Sequence, residues 1–541
     1  MFPLVTYDDV KPHARAIAAV TRSRAMPPWL PEPGYGEFAG DPQLTRAQIQ
    51  MIAAWVNAGA PEGPAEDIPA PPHFDSEWQL GTPDLVVPAA QAFKVPANGP
   101  DVFWNFIFSP PIDKTRYVRA IEIRPGAPHA VHHANIVIDR DRWARLQEKT
   151  PGAGFPGMDL VIDRNLQDPD SHFLFWKPGS VPWQEPDGFS WRLDPGNDLV
   201  LNAHMMPMGE PKEVKPSIGL YFTDKPPTHF PMIVELEHDG ALDIPPGDAD
   251  FLVSDDFRLP LDVDVLAIYP HAHYLGHLLE AYATLPGGRR VWLIRIPDWN
   301  MNWQGVYHYR APVFLPKGTV VSMRYHYDNS DANPRNPSHP PKRVRAGNQS
   351  TDEMGHLWLQ VLPRGTGDRR RELEEALVRH RLEKYPGDYS GRVMLGALRI
   401  SRLDPAGAVE ILGQAIRMNP QGSEGHYWLG MALQSVGRSQ EAVAQFRTAL
   451  QLNPDYTDAR FDLANSLARA GQLDEAADDY RRVLAVFPHD AHAHNSYGEV
   501  LLRQNHPAEA IKEFDAALTA DSNYTAAQRN RDRAQAEINA P

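Results

Sequence analysis

Histidines at three places in the middle of the chain have types and spacings suited to binding a metal ion. His271 and His273 are separated by one residue, so on a β-strand both imidazoles leave the same face and can reach one ion. His132 and His133 are neighbours, and both can reach one metal only where a bulge or bend re-aims one of them. His204 stands alone on a predicted strand, where a histidine is more often a hydrogen-bonded structural residue. The His-x-His pair is therefore the stronger indication of a metal site.

The absence of cysteine determines which other ligands remain. None of the 541 residues is a cysteine, which excludes disulfides, thiolate metal sites, iron–sulfur clusters and cysteine nucleophiles. Metal chemistry therefore falls to the 22 histidines, the carboxylates and the methionines. Met354 follows two acidic residues and precedes Gly355, a setting that suits a ligand better than a packing residue. Two histidines with a soft thioether favour copper, Cu(I) in particular, over magnesium, calcium or manganese.

The histidines lie in a region whose pattern is that of β-strands. Between residues 95 and 363, short β-branched and aromatic runs alternate with turn residues, which predicts antiparallel sandwiches or jelly rolls. About 270 residues are generous for one sandwich, so we predict two domains that meet near residues 223–229. The clearest predicted strands are 117–123, 133–138, 198–203, 217–222, 263–268, 291–296, 319–326 and 357–362.

The C-terminal third carries an internal repeat of 34 residues. Pro386, Pro420, Pro454 and Pro488 recur at this spacing. Small residues recur in the same phase, namely Ala408, Ala442, Ala476 and Ala510, and then Gly396, Gly430, Ala464 and Gly498. This is the tetratricopeptide period, in which small residues let two antiparallel helices touch and proline ends the second one. We predict an all-α solenoid over residues 366–541, whose surface is of a kind that binds peptides or partner proteins.

The N-terminal 63 residues read as a small helical segment, followed by a proline-rich linker over residues 64–94. Helical periodicity covers residues 8–24, and Thr45 caps a second helix that ends at Gly59. The net charge of −16 argues against nucleic acid or an anionic membrane as a partner. The longest apolar stretches are shorter than the roughly 18 residues that a membrane-spanning helix needs.

Four segments, in order, resemble the type II copper, ascorbate-dependent monooxygenases, the family of peptidylglycine hydroxylase and dopamine β-hydroxylase. They are residues 131–133, 201–204, 271–276 and 350–354, and the resemblance covers about residues 80–363. Any one segment is a weak signal, whereas all four in the family's order make a strong combination.

The resemblance implies two tandem β jelly rolls, at residues 95–225 and 226–365. The first would hold an electron-supplying copper through His132, His133 and His204. The second would hold the oxygen-binding copper through His271, His273 and Met354, and the two ions would face each other across an open solvent cleft. It further implies ascorbate or another electron donor, dioxygen, and hydroxylation of a C–H bond in a small organic substrate. Relatives of this kind are usually exported, which implies a periplasmic or secreted location.

Departures from the family concern the substrate. The peptide-amidating enzymes place an arginine two residues before the first histidine of His-x-His, to clasp a carboxylate, and this chain has Tyr269 there. They also carry asparagine and tyrosine where this chain has His356 and Trp358. We therefore expect a substrate that is less charged than a peptide C-terminus.

A second resemblance concerns the N-terminal segment. Residues 6–12, 24–29 and 54–61 look like the distal part of a c-type cytochrome domain, in which Met26 would be the axial haem ligand. The Cys-x-x-Cys-His attachment motif requires cysteine, which this chain lacks. We predict no covalent haem on this chain.

Three alternatives stay open at this point. The chain could bind copper and relay electrons without turning over a substrate, in which case its ligand set would look the same. A mononuclear cupin-like site could use His271, His273 and Glu280 with a further histidine, although the six residues between His273 and Glu280 exceed the usual cupin gap of three or four. Alternatively, the repeats could carry the main function as a protein-interaction scaffold, with the β region as an accessory.

Overall fold

A computed structural model describes residue 4, residues 6–64, residue 66, residues 78–127, 129–140, 142–158, residue 172 and residues 174–539. The chain forms two compact units, Met1–Leu377 and Val378–Pro541. The first contains the β-strands and the second contains helical repeats. No described helix is both long enough and apolar enough to cross a membrane.

The N-terminal segment is helical, as predicted. Its helices are α1 (Tyr7–Val10), α2 (Ala14–Arg22) and α3 (Arg46–Asn57), and a short 3₁₀ turn with Pro12 separates the first two. Thr45 caps α3 through a capping box with Gln48, so the predicted helix start is confirmed. The interpretation of this segment as cytochrome-like stays a prediction.

The first half of the β region forms two main sheets around one hydrophobic core. A four-stranded sheet has the order β1-β11-β4-β8, and a five-stranded sheet has the order β6-β3-β9-β5-β7. Side chains from both sheets share the core, so this half, named here the N-terminal sandwich, is a sheet-on-sheet packing. Its described strands are β1 (Leu85–Pro88), β2 (Phe93–Val95), β3 (Val102–Phe108), β4 (Arg116–Arg124), β5 (Val131–Asp139), β6 (Phe155–Pro156), β7 (Phe175–Trp176), β8 (Trp191–Leu193), β9 (Asp198–Met205), β10 (Lys212–Val214) and β11 (Ser217–Thr223).

The second half, named here the C-terminal sandwich, repeats this arrangement. Its four-stranded sheets have the orders β12-β21-β15-β18 and β14-β19-β16-β17, and they too share one core. The ring of Trp29, from the N-terminal segment, packs edge-on against Tyr307 at 5.2 Å. The described strands are β12 (Met232–Glu237), β13 (Asp243–Ile244), β14 (Phe251–Arg258), β15 (Val263–His271), β16 (Gly276–Thr284), β17 (Arg290–Ile296), β18 (Tyr307–Leu315), β19 (Val320–Tyr327), β20 (Val344–Arg345) and β21 (His356–Pro363).

Each of the eight clearest predicted strands coincides with a strand of the structure, within two or three residues at either end. Among the longer strands, β3, β12, β14, β16 and β18 lie outside that prediction, although β14 alternates buried and exposed positions along most of its length. A large β-rich region between the helical segments is therefore confirmed. The jelly-roll connectivity and the domain boundaries stay predictions.

The second unit consists of helices, of which α5 to α13 each pack against the next along the chain, while α4 begins in the first unit and ends in the second. The predicted role of small residues is visible at three repeats, because a Cβ added to Gly396, Gly430 or Gly498 would lie 2.4 to 2.6 Å from Leu412, Phe446 or Phe514. The repeating prolines stand two residues beyond the ends of α4, α6, α8 and α10, where they stop each helix from continuing. The bounds are α4 (Arg370–Lys384), α5 (Tyr389–Ser401), α6 (Pro405–Met418), α7 (Ser423–Ser435), α8 (Ser439–Leu452), α9 (Thr457–Arg469), α10 (Leu473–Val486), α11 (Ala491–Arg503), α12 (Pro507–Ala520) and α13 (Thr525–Asn539).

Candidate metal centre

The strand irregularity that His132 and His133 require is present in β5. Its register against β9 shifts between Val131, which pairs with Met205, and His133, which pairs with His204. His132 is the extra residue of this bulge, so its side chain is released from strict alternation. One ring nitrogen from each of the three histidines lies within 4.8 Å of the others, and the Nδ1 atoms of His132 and His133 are 3.1 Å apart. The three histidines thus form one potential metal site.

His204 is held with a free ring nitrogen. Every position of β9 is buried, because the strand lies between β3 and β5, and His204 sits near its end. Its Nε2 contacts Asp101 Oδ2 at 3.1 Å, and its ring stacks on Phe103 at 4.4 Å. The Nδ1 atom is buried and has no hydrogen-bond partner. With the proton on Nε2, Nδ1 has a lone pair directed into the protein, as a metal ligand needs.

His271 and His273 each have an oxygen acceptor at Nδ1. The Nδ1 of His271 lies 2.6 Å from Gln304 Oε1, which also accepts the hydroxyl of Tyr269. The Nδ1 of His273 lies 3.0 Å from the carbonyl oxygen of Asp352. Because both partners are oxygen acceptors, each Nδ1 carries the proton and each Nε2 keeps a lone pair. The rings are 5.1 Å apart and nearly perpendicular.

Glu353 fixes the backbone around this pair. Its carboxylate is fully buried and accepts the backbone N–H of His273 at 2.8 Å, of Leu275 at 2.6 Å and of Met354 at 3.1 Å. Burial raises the pKa of Glu353 to about 8, although these N–H donors act to lower it. In the sequence, Glu353 was noted only as part of a polar setting. An acidic residue directly before a candidate ligand is the signal that could have identified its role.

Met354 lies beside His273. The backbone N–H groups of both residues donate to the same oxygen of Glu353, and Tyr327 donates its hydroxyl to the Met354 carbonyl at 2.7 Å. Met354 is not among the described residues that line the pocket between the histidines, whereas two other methionines, Met158 and Met301, are. Neither was predicted, because no strand pattern or motif distinguishes them in the sequence.

The two histidine groups line a single pocket, and the cavity between them has a volume of about 20 Å³. The resemblance implies an open solvent cleft between two separate sites, whereas here five imidazoles share one small space. Contacts across the two sandwiches account for the closeness: Phe175 packs on Tyr269 at 5.1 Å, and Lys177 Nζ donates to the Trp303 carbonyl at 3.0 Å. The lining residues are Phe103, His132, His133, Met158, His204, His271, His273, Met301, Gln304, Asn348 and Ser350.

Burial keeps the imidazoles of His132, His133, His271 and His273 neutral. It lowers the pKa of His132 and of His273 to about 4, and it lowers the pKa of His133 and of His271 well below the ordinary value of 6.5. The neighbouring histidines add to each of these shifts because two positive charges would repel each other in a poorly solvated space. Neutral imidazole is the form that binds a metal.

These shifts predict how the metal-free protein responds to acid. Between pH 6.5 and about 4 these histidines bind protons in the unfolded chain but not in the folded chain. The free energy of unfolding is therefore highest above pH 6.5 and decreases as the pH falls through this range. A histidine with a pKa of about 4 contributes roughly 3 kcal/mol to this loss. Thermal unfolding across this pH range measures it, and His273→Gln should flatten the curve. An unfolding temperature that does not change with pH, or an unchanged curve in the variant, would contradict the prediction.

The residues that depart from the family pattern form an aromatic and charged cluster next to the site. Tyr269 stacks on Trp358 at 5.2 Å, and its hydroxyl donates to Gln304 Oε1 at 2.9 Å. His356 contacts Glu235 and Asp239, each at 3.0 Å. Burial alone would lower the pKa of His356, but the bonds to Asp239 and Glu235 outweigh it and raise the pKa to about 10.

Glu280, the carboxylate of the cupin-like alternative, lies on β16, whereas His271 ends β15 in the other sheet. Its Oε1 accepts Arg295 Nε at 2.8 Å, so this carboxylate is engaged in an ion pair. These positions count against the cupin-like alternative.

Comparisons with known proteins concern the helical repeats. Residues 393–457, 429–484 and 461–525 match the sequence profile of the tetratricopeptide repeat family. The crystal structure of MamA is 23% identical, covers 29% of this chain and 94% of its own, and superposes with a TM-score of 0.27. That of YrrB, described as a tetratricopeptide protein with an unusual peptide-binding site, is 22% identical, covers 30% and 84%, and has a TM-score of 0.28. A thermophilic tetratricopeptide protein from Thermus thermophilus is 18% identical, covers 31% and 91%, and has a TM-score of 0.27. No curated protein matches the chain.

Proposed function

We propose that the chain is a copper-dependent monooxygenase that hydroxylates a C–H bond of a small organic substrate, using dioxygen and an electron donor such as ascorbate. The observation that carries this proposal is the convergence of five imidazoles on one pocket in two groups, three of the imidazoles being buried and two partly buried. In this reading the β region forms two tandem jelly rolls, and the location is periplasmic or secreted.

The donor set fits copper. His132, His133 and His204 would hold one ion, and the orphaned Nδ1 of His204 is explained by a ligand role. His271 and His273 would hold the other with a thioether, which we assign to Met354. Imidazole and thioether ligands suit copper, and they suit magnesium, calcium or manganese poorly. When bound, copper would supply the electron transfer and the activation of dioxygen.

The remaining residues orient the ligands. Asp101 and Gln304 accept the N–H of one ring nitrogen on His204 and His271, which leaves the opposite nitrogen free. Glu353 holds the backbone between His273 and Leu275 in place. The Tyr269–Trp358 stack beside the site supports an uncharged rather than a carboxylate-bearing substrate.

The helical repeats support a second, non-catalytic role. Repeat surfaces of this family commonly bind peptides or proteins. We propose that a protein partner docks on the second unit, and pull-down with that unit removed from the chain tests it.

Copper stoichiometry is the direct test of the centre. We expect the full-length protein to bind two coppers, and a variant with His271→Ala and His273→Ala to bind one, because each group holds one ion. Elemental analysis measures the metal, and an oxygen electrode with ascorbate and a panel of small uncharged compounds measures turnover. One zinc and no copper would contradict the proposal, and two coppers without oxygen uptake would favour an electron-relay protein.

A further inference from the structure

A second cluster of possible ligands lies on the outer face of the C-terminal sandwich, outside the pocket. Asp250, His277 and His326 each offer one ligand atom, and these atoms lie within 4.8 Å of one another. They come from three neighbouring strands in the order β14-β19-β16, with Asp250 directly preceding β14. The function proposed above uses none of them.

Local structure explains why the three side chains converge. On β19, Tyr325 and Tyr327 are fully buried, so His326 between them faces outward. Leu252 pairs with His326 and is half exposed, and Asp250 stands two residues before it, on the same side. The register of β16 against β19 shifts between Gly276 and Leu278, which makes His277 a bulged residue. The bulge releases His277 from strict alternation and allows it to turn towards the other two.

The hydrogen bonds among these three side chains leave one ring nitrogen unsatisfied. His326 Nδ1 lies 2.7 Å from Asp250 Oδ1, and His277 Nε2 lies 3.5 Å from the same oxygen. The second distance is too long for a good hydrogen bond, and His277 Nε2 is buried without a partner. Ligands at 2.0 to 2.1 Å from a tetrahedral ion stand about 3.3 Å apart, close to these separations.

We propose that Asp250, His277 and His326 form a binding site for a divalent transition-metal ion with water completing its coordination. Two imidazoles and one carboxylate suit zinc and ferrous iron, and zinc is the probe that avoids redox chemistry. A bound ion would link three strands at the loop that continues from His273, and would therefore stabilise the fold. The site does not rest on the copper function, because it shares no ligand with the pocket.

Zinc binding to the full-length protein and to single variants tests this site. We expect His277→Ala and His326→Ala each to bind one equivalent of zinc less than the wild type, whatever the pocket histidines take up. Asp250→Asn should weaken this equivalent about tenfold or more. The ligand-field absorption of added Co²⁺ should fall in the same three variants.

His339→Ala is the matched control, since His339 Nδ1 contacts Asp331 Oδ1 at 3.0 Å in a comparable exposed histidine–aspartate pair. It should leave zinc uptake unchanged. The proposal is overturned if His277→Ala and His326→Ala bind as much zinc as the wild type, or if His339→Ala also loses an equivalent. Circular dichroism confirms that each variant is folded. Ascorbate-dependent oxygen uptake of the same variants should stay at the wild-type value, so failure here is separate from failure of the monooxygenase proposal.

Discussion

Replacement of Met354 with isoleucine is expected to abolish ascorbate-dependent oxygen uptake while the copper held by His132, His133 and His204 remains. A thioether favours Cu(I), the state that reacts with dioxygen, and isoleucine offers a similar volume without a ligand atom. We expect uptake to fall at least a hundredfold. X-ray absorption of the reduced protein should lose its copper–sulfur scattering, while elemental analysis still finds the copper of the three-histidine group.

Met158 and Met301 supply the matched controls because both line the pocket, whereas Met354 is not among its lining residues. Met158→Ile and Met301→Ile should retain both the copper–sulfur scattering and most of the oxygen uptake. If Met301→Ile alone removes the scattering, the ligand is Met301 and the assignment of Met354 is wrong. If all three variants keep it, the sulfur ligand is none of these three methionines. If the wild type itself shows no copper–sulfur scattering, the second copper has no thioether ligand.

Replacement of Glu353 with alanine is expected to destabilise the first unit by on the order of 3 kcal/mol or more. The change leaves three backbone N–H groups, those of His273, Leu275 and Met354, without their acceptor in the interior. The loop that carries His273 should then lose its fixed position, so the copper of the His-x-His group should bind at least tenfold more weakly. Chemical denaturation measures the first effect and a copper competition assay the second.

Glu122→Ala separates the two effects. Glu122 is also a buried glutamate, and its oxygens accept the backbone N–H of Gln79 at 3.0 Å and of Leu80 at 3.2 Å in the N-terminal sandwich. The Glu122→Ala variant should have a lower free energy of unfolding, and its affinity for both coppers should be unchanged. Wild-type copper affinity in Glu353→Ala would show that Glu353 supports the fold without positioning His273.

The β region was predictable to the extent that strand periodicity is local. Residues 198–203 contain a short apolar run of the kind that predicts a buried strand, and the structure has β9 there. Short strands such as β6 and β7, of two residues each, have no such period and were not predicted. The repeats were easier to predict because one small-residue position recurs every 34 residues, and its glycines in three repeats each lie against a large side chain.

The candidate centre was predictable by residue type and only partly by geometry. The spacing of His271 and His273 places both on one face of a strand, so this pair followed from the sequence. The pair His132 and His133 needed a bulge in β5, which depends on how β9 pairs with it and not on β5 alone. The resemblance supplied the grouping of these histidines, and it did not foresee that both groups would line one small pocket.

The sequence by itself determined the kinds of ligand available and the order of the elements that carry them. The tertiary structure alone decided which atoms of those ligands are free. Asp101 fixes the tautomer of His204 from 103 residues away, and Glu353 fixes the backbone of His273 from 80 residues away. Contacts at such separations depend on strand pairing and sheet packing, whereas a sequence pattern reports only the neighbours within one turn or one strand. For the same reason the sequence did not predict the cluster of Asp250, His277 and His326. These residues become a candidate site only when three strands lie side by side.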